Sequence, residues 1–440
     1  MLLVLASIAF YAVFAYSLER EDFPKLIALF FALFFLGFKL MQFEKWNFKF
    51  LLVTGLLFRL VFLVATPNLS QDFYRFIWDG ELINQGINPY LFTPNGLIEN
   101  SNFHIPNSKI LHEGMGALSA RHYSNYPPIN QLLFGLSAFL GKGSLLGNVI
   151  WMRILIILAD LGVVYYGRKL LQHLNLGQHL IFWYFLNPLI IIELSGNLHF
   201  EGIMLFFFIW AMYLISTEHY LKAAPVYAAS ILVKLVPLLF LPLFLRYFGL
   251  KKSILFYGIV ISSLLLCFLP FFNHAFFEHY SATIGLWFSN FEFNAGVYNL
   301  VKSISVTFFG AKPWVLIKGY GTFIKVAVIL LILLMAFFKK HDTLKQLFLS
   351  MLLVLGSYYL LSSTMHPWYL SFLLGVSLFT TFRFVLLWTA MVILSYYAYS
   401  QPDFKENLWL LALEYLLVIG YMGYEIVKNH NNLSLIRKKS

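Results

Sequence analysis

The chain is short of cysteine and of charge. Its one cysteine, Cys267, lies inside an apolar run, which excludes a disulfide framework and a thiolate metal site. Charged residues make up 12% of the 440 positions, about half the roughly 25% of a soluble domain. Water therefore cannot be the solvent for most of the surface. There is no G-x-x-x-x-G-K-[ST] and no G-x-G-x-x-G, which removes the usual cytosolic nucleotide cradles. There is also no HExxH and no pair of histidines at helical spacing with a third ligand, so no metal site is expected. Internal repeats and low-complexity tracts are missing, and no hydrophilic stretch is long enough for a separate soluble domain. The net charge of +11 is scattered singly along the chain, so it does not describe a nucleic-acid surface.

What is present is apolar length. Hydrophobic residues reach 60%, the mean hydropathy is +0.75, and runs such as FPKLIALFFALFFLGFKLM and VAVILLILLMAFF lack the alternation of barrel strands. The expected class is all-α, a polytopic transmembrane helical bundle. Crossings are predicted near 2–17, 24–41, 50–66, 149–167, 179–194, 198–216, 222–234, 236–246, 253–271, 314–338, 345–362, 367–380, 384–400 and 408–427. That makes about fourteen, several too short to span fully. The opening MLLVLASIAFYAVFAY has no basic n-region and reads as a first crossing rather than a cleaved signal. Three regions follow: membrane helices over 1–66, an extracytoplasmic loop with interfacial helices over 67–127, and a transmembrane bundle over 128–440 with a second outer loop at 272–313.

With the N-terminus inside, the inner side collects most of the lysines and arginines, among them Lys45, Arg168, Lys251, Lys339, Lys438 and Lys439. The apolar stretch 127–140 is too short for an easy crossing. Counting it as one would invert everything downstream, so it is expected to be an interfacial or re-entrant helix. Both long loops then face outward, as do SGNLHFEG (195–202) and SSTMHPWYL (362–370).

The stretch LSQDFYRFIWDGELINQGINPYLF (69–92) places charges where the chain leaves the bilayer. Ser70 can cap a helix starting at Gln71, and Gly86 before Asn88-Pro89 can end it. Asp72, Arg75 and Asp79 then share one face, with Phe73, Phe76 and Ile77 on the other. Taken alone, Asp72 and Arg75 read as an ordinary solvated helix pair. Further polar outliers converge on the same side. Lys234 interrupts AASILVKLVPLLFLP, at a cost of roughly 2.5–3.5 kcal/mol for a lysine deep in a membrane helix. Either it tips a broken hairpin into an outer cavity, or it pairs with an intramembrane acid such as Asp160 or Glu193. His199 with Glu201, and His366, stand at outer helix ends. Each suits a cap or structural hydrogen bond, and together with Lys234 they suit an anion site.

The segments QDFYRFIWDGELINQGINPY, YSNYPPINQ, NPLIIIELSGNLHFEGIML, SILVKLVPLLFLPLFLR and HPWYL resemble, in content and order, the GT-C glycosyltransferases. They are most similar to the bacterial polyprenyl-phosphate-mannose-dependent mannosyltransferases, over roughly residues 67–400. The resemblance implies inverting transfer of a hexose, with mannose the sugar implied, from a polyprenyl-phosphate carrier to a hydroxyl on a glycan, glycolipid or protein. It places the site on the extracytoplasmic side of the bacterial cytoplasmic membrane and needs no cofactor. It also implies that Asp72 is catalytic and that Lys234 and His366 lie near the donor phosphate. The family pattern often has Asp after the histidine of its GNxH stretch. Here the run is His199-Phe200-Glu201, which leaves Glu201 without a carried-over role.

The chemistry agrees. An ionised lipid phosphate leaves without a general acid but needs cations and hydrogen-bond donors on its oxygens. Lys234 and His366 are the first candidates, Arg75 and Arg153 the next. The acceptor hydroxyl needs a base on the opposite face of the sugar: Asp72, with Asp79 in reserve. His199, Glu201, Trp78, Tyr126 and Tyr369 complete the expected pocket. The competing reading is a transporter or flippase for a lipid-linked or anionic substrate. Such proteins usually carry paired inverted repeats and midplane polar residues, and this sequence has no such repeat.

Overall fold

The structure, a computed structural model, describes residues 1–289 and 291–437; Lys438 and Lys439, expected on the inner side, lie outside the described residues. The described chain is all-helical, with 76% of residues in helices and no strand. Six helices are long and apolar enough to cross a membrane: Phe23–Glu44, Leu145–His173, Val236–Phe271, Pro313–Phe338, Leu344–Leu361 and Leu408–Asn429. A bent pair, Gln178–Phe185 with Pro188–Gly196, makes a seventh if taken as one span. The expected count of about fourteen is therefore not confirmed.

The shortfall has a physical cause: many apolar runs break before they are long enough. Asn187-Pro188 splits one run, because a proline disfavours helix in the residue before it and donates no N–H. Asn187 adopts extended backbone there, its side chain accepts from the Leu189 N–H, and the two pieces meet at 51°. The Tyr220–Val233 helix ends at Lys234, which is extended (φ −150°, ψ 141°), and the chain resumes as a 3-10 helix over Val236–Leu243 with Pro237 in its first turn. The expected break at Lys234 is thus present. Fourteen residues rise only about 21 Å, short of the roughly 30 Å hydrocarbon core.

The segment around 127–140 forms the Pro128–Gly141 helix, which packs along the helix carrying Asp72. The two backbones approach closely at glycine. A Cβ on Gly80 would sit 2.4 Å from the Phe134 carbonyl oxygen, and one on Gly135 would meet Ile83 at 2.7 Å. Phe76 and Phe134 stack 4.7 Å apart at 8° beside this crossing. In the second expected outer loop, helices Phe276–Ser289 and Gly296–Phe309 flank a stretch that pairs with the segment before His366. Phe293 N–H donates to the Ser363 carbonyl, and Met365 N–H donates to the Phe293 carbonyl.

Gly80→Ala is expected to destabilise by about 1–3 kcal/mol, because the added methyl meets backbone rather than a movable side chain. Thermal unfolding of the purified protein in detergent would show it. Gly258→Ala, with nothing within 4 Å of its Cβ, is the matched control and should leave the midpoint unchanged.

Candidate active site

Asp72 opens the Asp72–Asn84 helix one residue later than the sequence suggests. Gln71 is the N-cap, and Ser70 Oγ accepts from the Asp72 N–H at 3.3 Å. The approach to that helix is tied to the GNLH segment. Leu69 N–H donates to Asn197 Oδ1 (3.2 Å), Asn197 Nδ2 donates to Glu193 Oε2 (3.2 Å), and Tyr396 OH donates to Glu193 Oε1 (2.6 Å). Arg153 fastens the same two segments from below. It donates to the carbonyls of Leu63 (2.8 Å), Ser195 (2.5 Å) and Gly196 (3.0 Å). Asp72 itself is half-buried. Burial pushes its carboxyl above the ordinary range, Lys234 and Arg20 pull it back, and Glu201 adds to the rise.

The two charges that act on it, Lys234 and Glu201, form an ion pair, with the lysine side chain 20% exposed and the carboxylate almost fully enclosed. Lys234 therefore has an acid partner. It is neither Asp160, which is bound by Arg59 (2.8 Å) and Tyr184, nor Glu193, whose oxygens are taken by Tyr396 and Asn197. The second Glu201 oxygen is buried without a partner.

Two histidines sandwich Trp368. The His199 ring lies 3.8 Å from it at 15° and the His366 ring 4.4 Å at 5°, with Phe293 stacked on the far side of His366 at 5.1 Å. Leu198 turns the chain into this position at φ +64°, a left-handed conformation costly for a branched side chain and of the kind that collects at functional sites. Burial, Lys234 and Arg20 hold His366 neutral, with its pKa lowered to about 3, and push His199 well below its usual value as well. Both imidazoles keep a buried nitrogen with no hydrogen-bond partner, Nε2 of His199 and Nδ1 of His366. Tyr126 and Tyr369 both feel the charges of Asp72 and Glu201, and Tyr369 packs edge-on against His366 at 5.4 Å.

The other expected residues lie elsewhere. Asp79 is fully buried, with one oxygen on Arg75 (2.8 Å) and the other accepting from Ser124 (2.6 Å) and Gln131 (3.1 Å). Arg75 Nη1 donates to the carbonyls of Ser119 and His122. This pair ties the Asp72–Asn84 helix to the 119–124 segment, and both Asp79 oxygens are engaged there. Arg153 is likewise committed to carbonyls. Trp78 is buried against Phe103 and His112, inside the loop. Sequence reasoning passed over Trp368, Tyr399 and Arg20, and weighed Glu193 only as a partner for Lys234. Trp368 stood in the quoted HPWYL, whereas Arg20 sits in a polar turn between the first two helices, where only its spatial neighbours reveal it.

A carboxylate, a lysine and two neutral imidazoles gathered beyond the ends of membrane helices are the equipment of a membrane-embedded group-transfer enzyme. Residues 25–248 match the MptA_B family, described as alpha-(1->6)-mannopyranosyltransferase, N-terminal domain. The match covers just over half of the chain, which therefore belongs to this GT-C-like mannosyltransferase family and is a membrane glycosyltransferase. The matched stretch starts earlier than the resemblance predicted, in the second helix. It contains Asp72, His199, Glu201 and Lys234 but stops short of His366. No curated protein matches the chain.

Asp79→Asn tests the structural role given to that residue. It should cost about 3–5 kcal/mol by stranding Arg75, and appear as a lowered unfolding temperature. A normally stable Asp79→Asn protein without turnover would instead make it the base.

Proposed function

We propose that this protein transfers mannose from a polyprenyl-phosphate carrier to a hydroxyl acceptor at the outer membrane face, with inversion. What supports the reading is that the charge of Lys234, paired with Glu201, reaches Asp72 and both of the histidines stacked on Trp368. The acceptor oxygen attacks C1 of the sugar and the C1–O bond to phosphate breaks. The bonding pair leaves with the phosphate, and the hydroxyl proton passes to the Asp72 carboxylate. Inversion at C1 converts a β-linked donor into the alpha linkage in the family's description, which also points to the 6-hydroxyl of a mannose-containing glycan as acceptor.

Lys234 supplies the positive charge that the departing phosphate needs. Its pairing with Glu201 lowers the cost of keeping an ammonium at the edge of the bilayer. His366, being neutral, contributes an N–H and no charge. The phosphate then meets one cation and directional donors, which bind the ionised leaving group while letting it depart. Glu201 lies close enough to raise the Asp72 carboxyl, which makes Asp72 a better base than a solvated aspartate.

Asp72→Asn is expected to lower kcat by about 10²–10⁴ while the KM for donor changes little. Lys234→Ala should raise the donor KM. Radiolabelled sugar transfer from synthetic polyprenyl-phosphate mannose measures both, and full turnover by Asp72→Asn would remove it as the base.

The pH profile is a separate test. The base must be ionised, and Asp72 sits above the ordinary carboxylate range, so kcat/KM should be full at higher pH and fall as the pH drops through that raised pKa. Its acid limb should disappear in Asp72→Asn residual activity.

A further inference from the structure

Arg20 is a cation without a carboxylate. Three exposed acids stand beside it in sequence, Glu19, Glu21 and Asp22, yet among the described residues it forms an ion pair with none of them. Its guanidinium turns away from them and lies 3.3 Å over the ring of Tyr399, from the Phe384–Ser400 helix, and its Nε is buried with no hydrogen-bond acceptor. That placement brings it to the edge of the site, where its charge and that of Lys234 act on the same groups. Tyr399 packs 5.7 Å from Phe293, the ring stacked on His366, and 5.5 Å from Tyr396, whose hydroxyl donates to Glu193. Beside Arg20 a cleft of about 380 Å³ opens, lined also by Glu19 and Glu21 and by Ser70, Gln71 and Tyr74 at the start of the Asp72 helix. The charge of Arg20 reaches Asp72, His199 and His366 alike.

We infer that Arg20 is a second cation for the donor phosphate, held on Tyr399 and acting with Lys234 on the leaving group. One donor of the guanidinium is engaged by the Tyr399 hydroxyl, and the others along its edge match phosphate oxygens. An arginine with no ion pair among the described residues is costly in this place unless an anion arrives there; Glu193 is bonded to Tyr396 and Asn197, and Glu19, Glu21 and Asp22 are exposed. The residue lies outside the stretch that matches the family, so the match assigns it nothing. The inference rests on the donor reading above.

The test is direct binding of a short polyprenyl monophosphate, and of the polyprenol of equal length, to the purified full chain. Wild type should prefer the monophosphate. Arg20→Gln should bind it about tenfold or more weakly, with polyprenol binding unchanged, and Arg20→Lys should recover part of the loss. Tyr399→Leu, which removes the platform, should also weaken monophosphate binding, and Tyr399→Phe, which keeps the ring but loses the hydroxyl bonded to Arg20, should weaken it less; this pair keeps the test open if Arg20→Gln does not fold. Undiminished monophosphate binding by Arg20→Gln, or an equal loss for phosphate and alcohol, overturns the inference. So does restoration of binding when Glu193→Gln is added to Arg20→Gln, since Arg20 would then be only a counter-ion for Glu193. A wild-type protein that does not distinguish monophosphate from alcohol overturns the donor reading itself.

Discussion

A charge that sits at or below the headgroups must be satisfied by protein, and that constraint organises this molecule. Hydrocarbon offers neither water nor counter-ions, so each ionic side chain has to find its partner within the fold. The buried charges therefore appear in sets. Arg59 is locked to Asp160, whose other oxygen accepts from the Tyr184 hydroxyl, deep in the bundle. Arg153 is wrapped by three carbonyls where the helices run out. Lys234 meets Glu201 at the mouth of the site. The first two sets are bonded within the fold and serve as rivets, although Arg59 keeps one buried nitrogen without a partner. The third keeps a free carboxylate oxygen and a partly exposed ammonium, which is the condition for exchanging partners with a ligand.

The rivets explain why the site needs so few regular elements. Leu63, Ser195 and Gly196 are loop or helix-end carbonyls, and an isolated helix end would leave them without donors. Arg153 supplies those donors, and in doing so fixes the start of two segments, one leading to Asp72 and one to His199. Glu193 and Asn197 add a second tie between the same segments. The candidate site is held by side chains bonding to backbone, on elements that would otherwise be irregular.

How much of this was legible in the sequence follows from which signals are local. Hydropathy made the all-helical membrane class plain, because lipid selects composition directly. It overstated the number of crossings because an apolar run does not reveal where it bends, and Asn187-Pro188 and Lys234 end helices that composition alone would extend. Asp72, Lys234, His199 and His366 were visible as polar residues out of keeping with their surroundings, and the structure gathers them. Asp79, Arg75 and Arg153 looked the same in one dimension. Only their partners, Ser124, Gln131 and a set of carbonyls, mark them as internal braces. Arg20 failed in the opposite direction: in sequence it resembles any residue of a charged turn, and its meaning depends on Tyr399, far along the chain.

The tryptophan shared by two imidazoles carries a consequence for ancestry. His199 comes from the N-terminal half and Trp368 and His366 from the other, so one stack of rings is built by both. A gene fragment encoding only the portion that matches the family would lack half of that wall. Exchange of the C-terminal half between distant homologues would likewise have to preserve a face-to-face fit a few ångströms wide. The two halves are under pressure to be inherited as one unit, whatever divergence their lipid-facing surfaces tolerate.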